Sequence, residues 1–161
     1  KIFKVEENEI NGGSYRIFCK KNIKKSIKYK ENVSLREIKK FFQRIKNNKK
    51  RFKIFITNTK KQNKKIFLYG ASTKGNTLLQ YYGINSKIIP YAAERSPEKW
   101  NKYTIGTGVK IISEKKARQL NPDYFFVMPY AFIDEFVKRE KKWLKSGGKF
   151  LLPYPNFKVV K

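Results

Sequence analysis

The sequence predicts an α/β protein with a mostly parallel sheet covered by helices on both faces. Three observations carry this. Short apolar runs at 65–69, 87–93, 124–128 and 149–152 alternate with helical patterns, as in parallel strands joined by helical crossovers. Turn signals mark several joints: Gly70, Gly83, Asn121-Pro122-Asp123 and Gly147-Gly148. Hydrophobic residues make up 40% and aromatics 16%, enough to fill a core and too many for a disordered chain.

The elements follow in order. Gly12-Gly13 is a turn, and Ser14 to Cys19 reads as a strand. Residues 20–32 form a Lys-rich solvated loop. Ser34 and Glu37 make a capping box, in which the hydroxyl and the carboxylate each satisfy a free N–H. Leu35, Ile38, Phe41, Phe42 and Ile45 then recur at helical spacing, and Phe52 and Ile56 continue the stripe. This is a long amphipathic helix whose stripe is expected to pack in the core. A polar break is expected at 58–65. The strand at 65–69 leads into a helix at 76–82, closed by Gly83. A strand at 87–93, a short helix at 113–120 capped by Ser113, and a strand at 124–128 come next. One amphipathic helix is expected over 131–145, and Lys149–Leu152 is the last strand. There is no internal repeat. The chain reads as one domain, 1–161. Residues 1–64 are its leading strand and long helix, and 65–161 its βαβ core.

Composition narrows the function. With one cysteine and no histidine, a disulfide framework and a Cys/His zinc site within this chain are both excluded. Cys19, beside Ile17 and Phe18, is expected to be a small buried hydrophobe in a cytoplasmic protein. No apolar run nears the roughly 20 residues of a membrane span, and the charged start does not read as a signal peptide. The first residue is not Met, as in a piece of a longer protein. The formal net charge is +27, with +17 carried by residues 1–65 and +10 by the rest. That charge suits non-specific attraction to nucleic acid. The basic residues are mostly Lys, with seven Arg, and Lys is abundant together with Ile, Asn, Phe and Tyr. Codon bias of an AT-rich genome therefore accounts for the charge as well as a nucleic-acid partner does.

The strand-to-helix loop Gly70-Ala71-Ser72-Thr73-Lys74-Gly75-Asn76 is the main candidate site. Ligands of open α/β sheets sit beyond the carboxyl ends of the strands. Backbone N–H groups and the positive helix end there favour an anion. The glycines let backbone approach closely, Ser72, Thr73 and Thr77 add hydroxyls, and Lys74 adds charge. The loop is not a Walker A loop, since Asn76 stands where the Lys should be, and Ser72 replaces the second glycine of a dinucleotide fingerprint. A tight turn with glycines needed only for packing stays open. Glu94, followed by Arg95, ends the second strand about 20 residues on, where dinucleotide folds place a ribose acceptor. A solvated charge is the alternative there. Gly106, Thr107 and Tyr130 are expected on the same rim.

Tyr69-Gly70-Ala71-Ser72-Thr73-Lys74-Gly75-Asn76-Thr77-Leu78-Leu79 resembles the signature of the C-terminal domain of SAM-dependent sugar C-methyltransferases. Gly12-Gly13-Ser14-Tyr15-Arg16, Glu94-Arg95-Ser96-Pro97-Glu98-Lys99, Gly106-Thr107-Gly108-Val109-Lys110-Ile111, Pro122-Asp123-Tyr124, Asp134-Glu135 and Gly147-Gly148-Lys149-Phe150 continue the resemblance in order. It covers nearly the whole chain. Two departures stand out: Ile105 replaces a Pro before Gly106-Thr107, and Tyr130-Ala131 replaces Trp followed by Asn or His.

The resemblance implies a Rossmann-like three-layer domain that helps hold a nucleotide-linked keto-sugar, for example a dTDP-sugar. Such enzymes place a zinc-binding domain and a S-adenosyl-methionine (SAM) domain upstream, and neither lies in this chain. The cofactor and the methyl transfer belong to the upstream methyltransferase domain. This domain is expected to bind no cofactor, to hold no catalytic residue and to be incompetent alone. A Lys-rich nucleic-acid module and an NAD(P)-binding Rossmann-like protein are the alternatives.

Overall fold

The computed structural model describes residues 1–22, 24–30 and 33–160. They divide into two compact units, Lys1–Phe41 and Phe42–Lys161. The division falls inside a helix.

In the first unit, β1 (Ile2–Asn8) pairs antiparallel with β2 (Ser14–Cys19). Strand β1 is not apparent in the sequence, because Lys4, Glu6 and Glu7 interrupt its apolar residues. None of the described residues in this unit is buried. Cys19 is an exposed free thiol, against expectation. The reason is local: a lone two-stranded ribbon has no second layer to cover it. The Lys-rich stretch 20–32 falls partly on Ile23, Glu31 and Asn32, which lie outside the described residues.

The capping box forms as expected. The Ser34 N–H and hydroxyl donate to Glu37 Oε2 at 2.8 Å, and the Glu37 N–H donates to Ser34 Oγ at 3.2 Å. Helix α1 (Leu35–Lys61) follows. It runs through most of the expected break and ends on Asn63, whose positive φ of 53° stops it. Its stripe is buried only in the second half, at Phe52 and Ile56, whereas Leu35, Ile38, Phe41 and Phe42 are exposed.

The second unit is a six-stranded sheet in the order β5-β4-β3-β6-β7-β8. Its strands are β3 (Ile66–Tyr69), β4 (Tyr91–Glu94), β5 (Lys110–Ser113), β6 (Tyr124–Val127), β7 (Lys149–Leu152) and β8 (Lys158–Val160). All neighbours are parallel except β7 and β8. Alternation along the strands divides the core. Ile66, Leu68 and Phe126 face α1 and α2 (Thr73–Tyr82), with Phe52, Leu79 and Tyr82. Phe67, Tyr69 and Phe125 face the opposite layer, with Ala117, Phe136 and Trp143. That layer is α3 (Glu114–Gln119), α4 (Ile133–Arg139) and α5 (Lys141–Lys145). The three-layer α/β sandwich expected from the sequence is therefore present.

Several elements differ from expectation. Helix α2 starts three residues early, because Ser72 is its cap. Strand β4 starts at Tyr91, since residues 87–89 form a turn onto Asn85. Strands β5 and β8 are additional, each short with few apolar residues. The single helix at 131–145 is instead a 3-10 turn, Tyr130–Phe132, followed by α4 and α5. The break is at Glu140, whose buried carboxylate turns inward to partners in the core.

Candidate functional site

Strand order reverses between β3 and β6, since the chain fills the sheet outward from β3 to β5 and then returns to β6. The carboxyl ends of β3 and β6 therefore border the crevice where open α/β sheets bind ligands. Loop 70–76 leaves β3 there, and Met128-Pro129 leaves β6 beside it.

The loop is built by bonds to β4 and by packing against the exit of β6. The Gly70 N–H donates to the Ala93 carbonyl at 2.8 Å, and the Ala71 N–H to Glu94 Oε2 at 2.8 Å. Ser72 caps α2: its hydroxyl accepts from the Gly75 N–H at 3.1 Å. A Cβ at Gly70 would lie 2.8 Å from Pro129 Cδ, and one at Gly75 would lie 2.6 Å from Met128 Cε. Both glycines are thus used for packing against β6 and its exit, with Gly70 at φ +81° besides. Three donors remain: among the described residues, no protein acceptor faces the N–H groups of Ser72, Thr73 and Lys74. They point from the positive end of α2.

Two clefts flank residues 70–72. The first, about 180 Å³, has an apolar floor of Leu68, Leu79, Ile111 and Met128. Thr73, Gly75 and Asn76 form one wall, and Tyr103, Thr104 and Ile105 the other. The Asn76 Oδ1 is shielded from solvent and meets no donor. The second cleft, about 230 Å³, lies toward Glu94, Arg95, Lys99, Glu114 and Arg139.

The charges of the second cleft are engaged with each other. Glu94 accepts from the N–H groups of Ala71, Arg95 and Ser96 and lies 3.5 Å from Lys99 Nζ. Four donors fill the lone pairs of one carboxylate. Burial pushes the Glu94 carboxyl up, but the bonds from Ser96 and Ala71 and the Lys99 charge hold it below the usual range. Deeper in, the Tyr69 hydroxyl donates to Glu140 Oε1 at 2.7 Å and accepts from Arg139 at 2.9 Å. Arg118 Nε donates to Glu140 Oε2 at 2.8 Å, and its Nη2 bonds both Glu140 and Glu114. Burial raises the Glu140 carboxyl, and the bonds from Arg118 and Tyr69 outweigh it, leaving it low. Burial and the Glu140 bond push the Tyr69 hydroxyl far up.

Of the expected residues, the fold gathers Gly70, Ala71, Ser72, Thr73, Gly75 and Asn76 at the first cleft, and Glu94 and Arg95 at the second. Lys74 and Thr77 are exposed on α2 and line neither cleft. Thr107 is buried, its hydroxyl 2.6 Å from that of Thr104, and Gly106 packs near Gln80. Both shape their loop from inside. The Tyr130 ring packs on Tyr154 at 5.1 Å and lines neither cleft. The lining residues Tyr103, Thr104, Ile105, Glu114 and Arg139 are absent from the sequence-derived set. The first three immediately precede Gly106-Thr107-Gly108, and that glycine-bounded stretch is the signal in the sequence that points to them.

Among the described residues, no three acidic, Cys or His side chains converge as a metal site, and no helix is long and apolar enough to cross a membrane. Residues 9–155 match the family model described as C-methyltransferase C-terminal domain. A curated relative, C-methyltransferase NovU of Streptomyces niveus, is 32% identical over 92 residues, which is 57% of this chain and 22% of that protein. The match thus spans less than a quarter of the relative's length. The chain belongs to the C-methyltransferase C-terminal domain family.

Proposed function

From this membership we propose that the domain holds the diphosphate of a nucleotide-linked keto-sugar for a SAM-dependent C-methyltransferase. The methyl transfer takes place on a separate, upstream domain of the enzyme. The observation that carries the reading is the set of three unpaired N–H donors at Ser72, Thr73 and Lys74, on a helix start at the strand-order reversal. Such a cradle suits phosphate oxygens. The exposed Lys74 adds a nearby charge, and Arg95 stands across the second cleft.

The residues here do not fit the adenosine ribose of SAM or NAD(P). The acceptor at the end of the second parallel strand would be Glu94, and its oxygens already take four protein donors. In this reading Glu94 braces the loop, and SAM binds elsewhere in the enzyme. The exposed single thiol of Cys19 suits a reducing compartment such as the cytoplasm.

The test is an amide NMR titration of the 161-residue chain with dTDP, at about 0.15 M salt, where exposed charges are screened beyond roughly 8 Å. The Ser72, Thr73 and Lys74 amides are expected to shift first and to saturate. Shifts confined to the Lys-rich face of α1, with the loop unmoved, would replace this reading with attraction by charge alone.

A further inference from the structure

We propose that the groove between α1 and the open edge of β8 docks an extended, acidic segment of a partner protein, which joins the sheet as an added strand. Both walls belong to the second unit. The groove shares no lining residue with the two clefts, so this inference stands apart from the diphosphate reading.

The two edges of the sheet are finished differently. The β5 edge is closed by the chain that precedes it: the Asn101 N–H donates to Ile111 O at 2.9 Å, the Ile111 N–H to Lys102 O at 2.8 Å, and Tyr103 is bridged to Lys110. At the other end of the strand order, β8 pairs with β7 alone. Among the described residues, no further backbone bond reaches Lys158, Val159 or Val160. An edge of this kind is a template for another strand.

Beside that edge lies a groove of about 420 Å³, larger than either cleft. Its α1 wall runs from Arg51 to Asn58, about 10 Å of helix rise. An extended segment covers that length in about three residues, which is the length of β8. Alternation along β8 turns Phe157 into the α1 side of the core and Val160 to the opposite side. Val159 therefore faces α1, and it is 41% exposed opposite Ile54 at 54%. The walls are fixed to each other. The buried Asn48 of α1 donates to Pro155 O at 2.9 Å and accepts from the Phe157 N–H at 3.0 Å, and the Phe55 and Phe157 rings meet edge to face at 5.5 Å. An added strand would meet a groove already in shape, with backbone bonds to β8 and one side chain between Ile54 and Val159.

Charge selects the occupant. The groove is lined by two exposed cations, Arg51 and Lys158, and by no carboxylate. Among the described residues, neither cation is in an ion pair. A second copy of this chain, at a net charge of +27, would set cations against cations, whereas an acidic segment would complement them.

The experiment adds three synthetic peptides to the 161-residue chain at about 0.15 M salt and follows the amide NMR spectrum. They are acetyl-Glu-Val-Glu-Val-Glu-amide, its Lys-Val-Lys-Val-Lys counterpart, and acetyl-Glu-Pro-Glu-Pro-Glu-amide, which keeps the carboxylates but is unfit for a paired strand. The first is expected to shift the Phe157–Val160 amides and to saturate. The proline peptide should bind roughly tenfold more weakly, for the loss of strand bonds. Arg51→Glu combined with Lys158→Glu, both exposed, should weaken the first peptide about five- to tenfold and strengthen the Lys peptide. Equal binding of the two acidic peptides would overturn the proposal in favour of charge attraction alone. Shifts of β8 that appear on concentrating the chain without peptide, with a dimer mass in sedimentation, would make a second copy the occupant. An absence of saturable shifts in β8 at millimolar peptide would leave β8 a bare edge and also end the proposal.

Discussion

The two clefts beside residues 70–72 share a ridge but are built on opposite terms. In the first, the N–H groups of Ser72 and Thr73, which line it, and the shielded Asn76 oxygen have no protein partner among the described residues. In the second and in the network beneath it, nearly every charge is paired: Glu94 with three N–H groups and Lys99, Glu140 with Arg118 and Tyr69, Glu114 with both Arg118 and Arg139. An unpaired polar group near the interior costs about 1–3 kcal/mol, which is why the proposed ligand is assigned to this side. The paired cleft is where the fold secures the ridge. Arg95 is its exception, exposed at the mouth.

Three perturbations would break or sharpen this contrast. The largest effect belongs to the paired side. Glu140→Ala leaves Arg118 with Glu114 alone and the buried Tyr69 hydroxyl without its acceptor, and a lost charge-assisted bond together with an unsatisfied buried donor costs about 3 kcal/mol or more. Urea denaturation should show that loss. A change below about 1 kcal/mol would mean that the network is surface-like, as for an exposed ion pair, and that the contrast is false.

Next is Gly75→Ala on the open side. Its Cβ would meet Met128 at 2.6 Å. Overpacking of this kind costs about 1–3 kcal/mol, readable in the same denaturation series. A neutral result would return Gly75 to the role of clearing space for a ligand.

The smallest effect near neutrality is that of pH. Glu94 and Glu140 both titrate below their ordinary range. Their contribution is fully present above the unfolded value of about 4.3 and is lost as pH falls through the lower folded values. Stability should be flat above about pH 5 and fall toward pH 3. In Glu140→Gln the fall should be shallower, which assigns the slope to the paired side.

Much of this arrangement is legible in the sequence, and the missing parts have physical causes. β3, β6 and β7 are apolar runs bounded by turn residues, and α2 and α3 carry Ser caps and, for α2, a closing Gly83. Each signal lies within a few residues of what it specifies. The break at Glu140 has no such signal, because its partners Arg118 and Tyr69 lie 22 and 71 residues away. Its polar side chain reads as the solvent face of one continuous helix. Strand β8 is an antiparallel edge of three residues, too short to show a period. Leu35, Ile38, Phe41 and Phe42 show the opposite limit: periodicity reports an amphipathic helix but not how much of the stripe is covered.

The site was legible in the same graded way. Loop 70–76 and Glu94 stood out by residue type and by place after a strand. Tyr103 carries no such signal, because the glycines and threonines beside it mark where the loop turns and not which side chains it presents. The residues that turn the loop and those it presents are different sets: Thr107 faces inward, while Ile105 faces out.

The double attachment of the ridge to β4, through Gly70 to Ala93 and Ala71 to Glu94, has a thermodynamic consequence. Fixing one residue's backbone costs about 1–2 kcal/mol of entropy. Here that cost falls on folding, when the sheet forms, and not on the encounter with a ligand. If the proposed phosphate binds there, it meets a backbone already fixed, and more of its contact energy appears as affinity.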